Sequence, residues 1–97
     1  MFTPEELSVM QAAIKTYSEE ARMILNYDLQ AALASSCLAK IEHYNPLTYF
    51  SKQELTFVAM SVDYVISTMD SMPPARRDKK LYKSLVALLD RLIALAR

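Results

Sequence analysis

Leu7, Met10, Ile14, Tyr17, Ala21 and Ile24 recur at alternating steps of three and four, which places them on one face of a helix from about Pro4 to Leu25. Continuing that register would bring Asp28 and Ser35 into the core, whereas the apolar set moves to Leu29, Leu33, Cys37, Ile41 and Tyr44. A single helix from Pro4 to Tyr44 would also be about 60 Å long at 1.5 Å per residue, too long for a compact domain of this mass. We therefore expect a break at Asn26, Tyr27 and Asp28, with Asn26 in the left-handed conformation and Asp28 as the next N-cap. The second helix, about Leu29 to His43, is rich in small residues and is stopped by Asn45-Pro46, because a residue before proline is pushed out of the α region. A third helix is expected from Lys52 to Ser71, ended by Met72-Pro73-Pro74. A fourth begins between Pro74 and Lys79 and runs to the C-terminus on a stripe of Leu81, Leu85, Leu88, Leu92 and Leu95.

Two of the helix starts carry matching local signals. Thr3 as N-cap, Pro4 at the first helical position, Glu6 closing a capping box and Phe2 stapled onto Leu7 make the first. Ser51, Glu54, Phe50 and Leu55 repeat the arrangement 48 residues later, and the same offset carries Ile14 onto Val62, Cys37 onto Leu85 and Ile41 onto Leu89. The offset reads as a duplicated αα-hairpin, residues 2–45 and 50–97, or as the similarity that any two well-capped amphipathic helices share. Four helices with short connections predict an all-α, up-down four-helix bundle built from two αα-hairpins within one domain spanning residues 1–97. A three-helix bundle with a long bent first helix is the alternative.

Composition supports this class. The 97 residues contain no glycine, which argues against hairpin-rich β folds, whose tight turns need positive φ, and against glycine-rich phosphate loops. No stretch reaches the 18 or so continuous apolar residues of a membrane span, and the acidic N-terminus is unlike a secretory leader. With a single cysteine, Cys37, these features lead us to expect a cytoplasmic protein without an internal disulfide.

The apolar content, 53%, is high for so small a body. On the third helix Leu55, Val58, Ala59, Val62, Val65, Ile66 and Met69 share one arc, while Phe57, Met60 and Tyr64 lie opposite. On the fourth, Tyr82, Val86, Leu89, Ile93 and Ala96 flank the leucine stripe, so that about half the circumference is apolar. Either the third helix is the buried centre of the chain, or these faces meet a partner. We expect the second, a homodimer or a protein partner docked on Phe57, Met60, Tyr64, Tyr82, Val86 and Ile93.

A net charge of zero conceals a segregation. Residues 1–70 hold nine acidic residues against Lys15, Arg22, Lys40 and Lys52, whereas residues 71–97 hold seven basic residues against Asp78 and Asp90. Arg76, Arg77, Lys79, Lys80 and Lys83 crowd the start of the fourth helix, where the helix dipole prefers anions. They are either a solvated face or a contact for an acidic partner or nucleic-acid phosphate. No helix-turn-helix pattern accompanies them, and Tyr82 is the one aromatic near enough to stack on a base.

Chemistry-bearing residues are sparse. His43 is the sole histidine and has no second ligand motif beside it, so no metal site is expected. Cys37 lies on the apolar side of the second helix, with His43 six residues on and facing elsewhere, which reads as a small buried hydrophobe instead of a nucleophile. Glu19, Glu20, Asp63 and Asp70 read as solvated carboxylates. The expectation is a small non-enzymatic interaction or regulatory protein that self-associates through apolar helix faces, with no catalytic residue, cofactor, membrane or small-molecule substrate. Nucleic-acid association through the basic cluster is the alternative.

Overall fold

The computed structural model describes residues 2–21 and 27–97. It is an all-α, four-helix bundle: α1 Pro4–Ala21, α2 Tyr27–Glu42, α3 Lys52–Asp70 and α4 Lys79–Ala96, with a single 3₁₀ turn at Pro74–Arg76 before α4. Among the described residues there is no strand, and no helix is long and apolar enough to cross a membrane.

The starts of α1 and α3 are built by the local chemistry expected of them. Thr3 N–H donates to Glu6 Oε1 (2.8 Å) and Glu6 N–H to Thr3 Oγ1 (3.1 Å), a reciprocal capping box. Ser51 and Glu54 do the same for α3, at 2.9 and 3.1 Å. Asp78 caps α4 by accepting from Leu81 N–H (3.0 Å), which sets a carboxylate among the lysines at the positive end of the helix dipole. The expected end of the first helix at Leu25 and the left-handed Asn26 lie outside the described residues. Asp28 differs from expectation: the backbone is already helical at Tyr27, so Asp28 belongs to the first turn of α2, where its charge still suits the dipole, instead of capping it. The α2–α3 connection turns without glycine because Asn45 and Thr48 supply the bonds: Leu47 N–H donates to Asn45 Oδ1 (2.8 Å), Asn45 N–H to Thr48 Oγ1 (2.9 Å) and Thr48 N–H to Asn45 O (3.0 Å).

α3 is the central helix and packs on each of the other three. Successive helices run in alternating directions. The Phe2 ring at the head of α1 meets Tyr44 beyond the end of α2 (6.3 Å) and Phe50 ahead of α3 (5.9 Å), and Arg91 near the end of α4 reaches Glu6. The core between them is formed by Met10, Ile14, Cys37, Val58, Val62, Leu85 and Leu92, all withdrawn from solvent. Tight burial on this scale is the main stabilising term for a chain of this length.

Several positions 48 residues apart are buried alike, whereas others differ: Ile41 is buried but Leu89 only half-buried, and Leu33 is half-buried but Leu81 exposed. Phe2 and Phe50, Met10 and Val58, Ala13 and Ser61, Ile14 and Val62, and Cys37 and Leu85 are buried in pairs. The correspondence extends to polar contacts and is exchanged between the halves: α4 supplies Arg91 to Glu6 (2.6 Å) and over the Phe2 ring (5.2 Å), and α2 supplies Lys40 to Glu54 (2.5 Å) and over the Phe50 ring (5.7 Å). Each capping-box glutamate is thus clamped by a cation from the second helix of the other half.

Candidate interaction surface

The expected docking residues divide into two groups. Phe57, expected on a free face, is buried at 3% exposure within the chain. Its covering is local: the Tyr17 ring of α1 lies 5.8 Å from Phe57 and 5.6 Å from Tyr64, so α1 closes the second apolar arc of α3 and leaves Tyr64 half-buried. Met60 alone of that trio is exposed. Tyr82 is also engaged internally. Its hydroxyl donates to Asp70 Oδ1 (2.7 Å), a bond that raises the phenol's pKa because it favours the protonated form, and the Arg77 guanidinium stacks 5.1 Å from the ring.

Val86 and Ile93 remain on the surface, at 37% and 41% exposure. Leu81 and Leu95, expected in the core stripe, are exposed to a similar extent, 38% and 37%. Only Leu85, Leu88 and Leu92 of that stripe are buried. α4 therefore shows water four large aliphatic side chains, Val86 and Ile93 on one flank of its buried leucines and Leu81 and Leu95 at the two ends of the leucine stripe.

The basic cluster also divides. Arg77 is half-buried and structural: its Nε donates to Met69 O (3.1 Å) and its terminal nitrogen to Asp70 O and Met72 O (both 3.4 Å), which ties it to the last two carbonyls of α3 and the turn just beyond. Arg76, Lys79, Lys80 and Lys83 are exposed, and among the described residues none has a carboxylate within 4.0 Å. Replacing Arg77 by Ala is expected to lower stability by about 1 kcal/mol, the worth of a side-chain cap, in a urea melt. Lys79→Ala on the same surface should leave the melt unchanged; equal effects of the two would refute the structural role of Arg77.

Beyond its capping box, a polar network centred on the buried Glu54 carboxylate is not foreshadowed by local spacing. The Glu54 carboxylate accepts from Ser36 Oγ (2.7 Å), Lys40 Nζ and Ser51 N–H, and Lys40 Nζ donates as well to Tyr49 O (2.7 Å). Burial alone would raise the pKa of Glu54, but Lys40, Ser51 and Ser36 outweigh it and hold the carboxyl at about 2. The available signal was the i, i+4 pair Ser36 and Lys40 on a helix otherwise lined with small and apolar residues. Cys37, beside this network, is fully buried, and its Sγ–H donates to Glu54 O (3.9 Å). His43 is exposed, and among the described residues no three His, Cys, Asp or Glu side chains gather where they could hold a metal ion.

An open seam lies between α1 and α4, which pack less closely than the pairs each makes with α3. One lobe, about 400 Å³, is walled by Ser8, Ala12 and Thr16 of α1 and by Leu81 and Leu85 of α4, over Val65. A second, about 260 Å³, continues along the same two helices between Glu5 and Val9 on one side and Ser84, Ala87 and Arg91 on the other. Compared with protein-family models, curated proteins and solved structures, the chain matches none of them.

Proposed function

We propose that this protein is a small non-enzymatic interaction module that self-associates, and acts on its partners, by burying the exposed apolar side chains of α4 against another helix. One observation carries the reading: α4 buries three leucines within the chain and still presents Leu81, Val86, Ile93 and Leu95 to water. Scattered single apolar side chains are ordinary on a protein surface, but a helix whose exposed apolar residues run its whole length beside and beyond a buried leucine stripe has the pattern of a docking element. The exposed Arg76, Lys79, Lys80 and Lys83 at the start of that helix would steer an acidic surface toward it.

Sedimentation equilibrium tests this reading. The wild-type chain is expected to reach at least twice its 11.0 kDa mass as concentration rises. Leu81→Lys combined with Ile93→Lys, one at the exposed end of the leucine stripe and one on its flank, should hold it at the mass of one chain without loss of helical circular dichroism. A folded wild type that stays at 11.0 kDa throughout would refute self-association. A second reading, association with nucleic acid, is favoured by the exposed Arg76, Lys79, Lys80 and Lys83, which among the described residues have no carboxylate within 4.0 Å. It requires tight binding to a labelled duplex or RNA that weakens steeply with salt, and salt-insensitive or absent binding removes it.

A further inference from the structure

The self-association proposed above brings α4 against another helix without fixing which side of α4 meets it, and the seam between α1 and α4, with the exposed Leu81 at its edge, carries the features that choose. The two helices run antiparallel along it, with Glu6 against Arg91 at one end and Thr16 in the same lobe as Leu81 at the other. Small side chains form both lips: Ser8, Ala12 and Thr16 on α1, and Ser84 and Ala87 on α4. Small lips allow another pair of helices to approach toward the short end of the usual 8–10 Å interaxial distance. The apolar floor beneath is Val9, Val65 and Leu85, with the exposed Leu81 at its edge.

Charge then distinguishes a second copy from other occupants. The α1 lip is acidic: Glu5 lines the crevice, and Glu19 continues the exposed stripe of Glu5, Ser8, Ala12 and Thr16 at helical spacing. The α4 lip is basic, since Lys80 continues the stripe of Ser84, Ala87 and Arg91. The chain as a whole is neutral, with its acidic residues concentrated before residue 71 and its basic residues after it. A surface with one acidic and one basic lip is complementary to itself under one arrangement. A twofold axis running along the crevice lays each α1 lip, antiparallel, on the partner's α4 lip and brings Glu19 opposite Lys80 of the other copy. An axis across the crevice would instead stack α1 on α1 and α4 on α4, acid on acid and base on base, which is disfavoured.

We infer that the α1–α4 crevice is the seat of a second copy of this chain, in an isologous dimer whose twofold axis follows the crevice and pairs the acidic lip of each copy with the basic lip of the other. This rests on the self-association reading and is separable from it.

The test is sedimentation equilibrium on the full chain and its variants. Ala12 is exposed, so Ala12→Arg should leave the fold intact and weaken dimerisation at least about tenfold, whereas Met60→Arg, on the far side of α3, should leave it unchanged. Lys80→Glu and Glu19→Lys set like charges against each other across the axis, and each alone should weaken the dimer to a similar degree. Mixing the two variants restores opposite charges at both contacts, so heterodimers should regain wild-type affinity, although each chain still carries its own charge reversal. That rescue can arise only between chains. A wild-type dimer that is indifferent to Ala12→Arg and to both reversals would overturn the crevice as its seat and leave self-association standing. A wild-type monomer at every concentration would overturn both, and would leave the crevice to a helix of another protein or to no occupant.

Discussion

Glu54→Ala is expected to destabilise the bundle by about 3 kcal/mol, against about 1 kcal/mol or less for Glu6→Ala, although both remove the glutamate of a capping box. The difference lies in surroundings. The Glu6–Arg91 pair is open to water, with side chains 22% and 42% exposed, so solvent already screens it and would replace it. Glu54 has a side chain only 8% exposed beside a Lys40 side chain at 34%, and its removal leaves the Lys40 ammonium with Tyr49 O alone and takes the acceptor from the Ser51 N–H and the Ser36 hydroxyl. Since total stabilities of such domains are about 5–15 kcal/mol, a loss of this size would dominate a urea titration. Glu54→Gln separates the parts, because the amide oxygen can still accept from Ser51 while the charge opposite Lys40 is gone, and it should fall between wild type and Ala.

The same carboxylate gives the fold an acid-sensitive component with a defined sign. Its folded pKa, about 2, lies below the ordinary value of 4.5, so the unfolded chain takes up the proton first as pH falls. The stability it contributes is complete above 4.5 and is lost progressively as pH drops from there toward 2. Urea midpoints between pH 6 and pH 2.5 should decline in the wild type and decline less in Glu54→Gln. Parallel curves for the two proteins, or equal losses for Glu54→Ala and Glu6→Ala, would refute the clamp.

The contrast between these glutamates also marks how far the sequence could be read. The capping boxes were legible because every participant lies within four residues, where backbone geometry alone brings the groups together. Lys40 and Glu54 meet only because α2 returns alongside the start of α3, a tertiary fact that no local spacing encodes. The same limit explains Phe57. A helical wheel correctly put it opposite Val58 and Val62, but could not show that Tyr17 of α1 would cover it, and so a central helix resembled one in need of an outside partner. For α4 the error ran the other way. Leu81 and Leu95 share the helical direction of the buried leucines but lie in the first and last turns of α4. α4 packs closely on α3 alone, so its buried arc is narrow, and both ends of the stripe emerge into water. The basic cluster was legible as charge, whereas the employment of Arg77 on the carbonyls at the end of α3 depended on the path of the Pro73-Pro74 turn.

Cys37 turns the Glu54 clamp into a measurable gate. Burial first, and the neighbouring Glu54 charge second, raise the thiol's pKa to about 12 from an ordinary 9.0, with Lys40 pulling weakly the other way. The thiolate is the reactive form, so at pH 8 the folded protein should react with a disulfide reagent at least about a thousandfold more slowly than the urea-unfolded chain, the factor that three pKa units impose before any loss of access. The residual rate in the native protein then reports opening of α2 away from α3, because the side chain has no exposed surface in the closed bundle. Glu54→Ala removes the contact that fastens α2 at this point. If opening costs about 3 kcal/mol less in that variant, labelling should accelerate about a hundredfold, while Glu6→Ala, at the opposite pairing of the bundle, should accelerate it by less than tenfold. Native labelling as fast as in the unfolded chain would show Cys37 to be accessible and α2 not to be held by this network. Equal acceleration by both glutamate variants would show that the bundle opens as a whole, with no separate gate at α2.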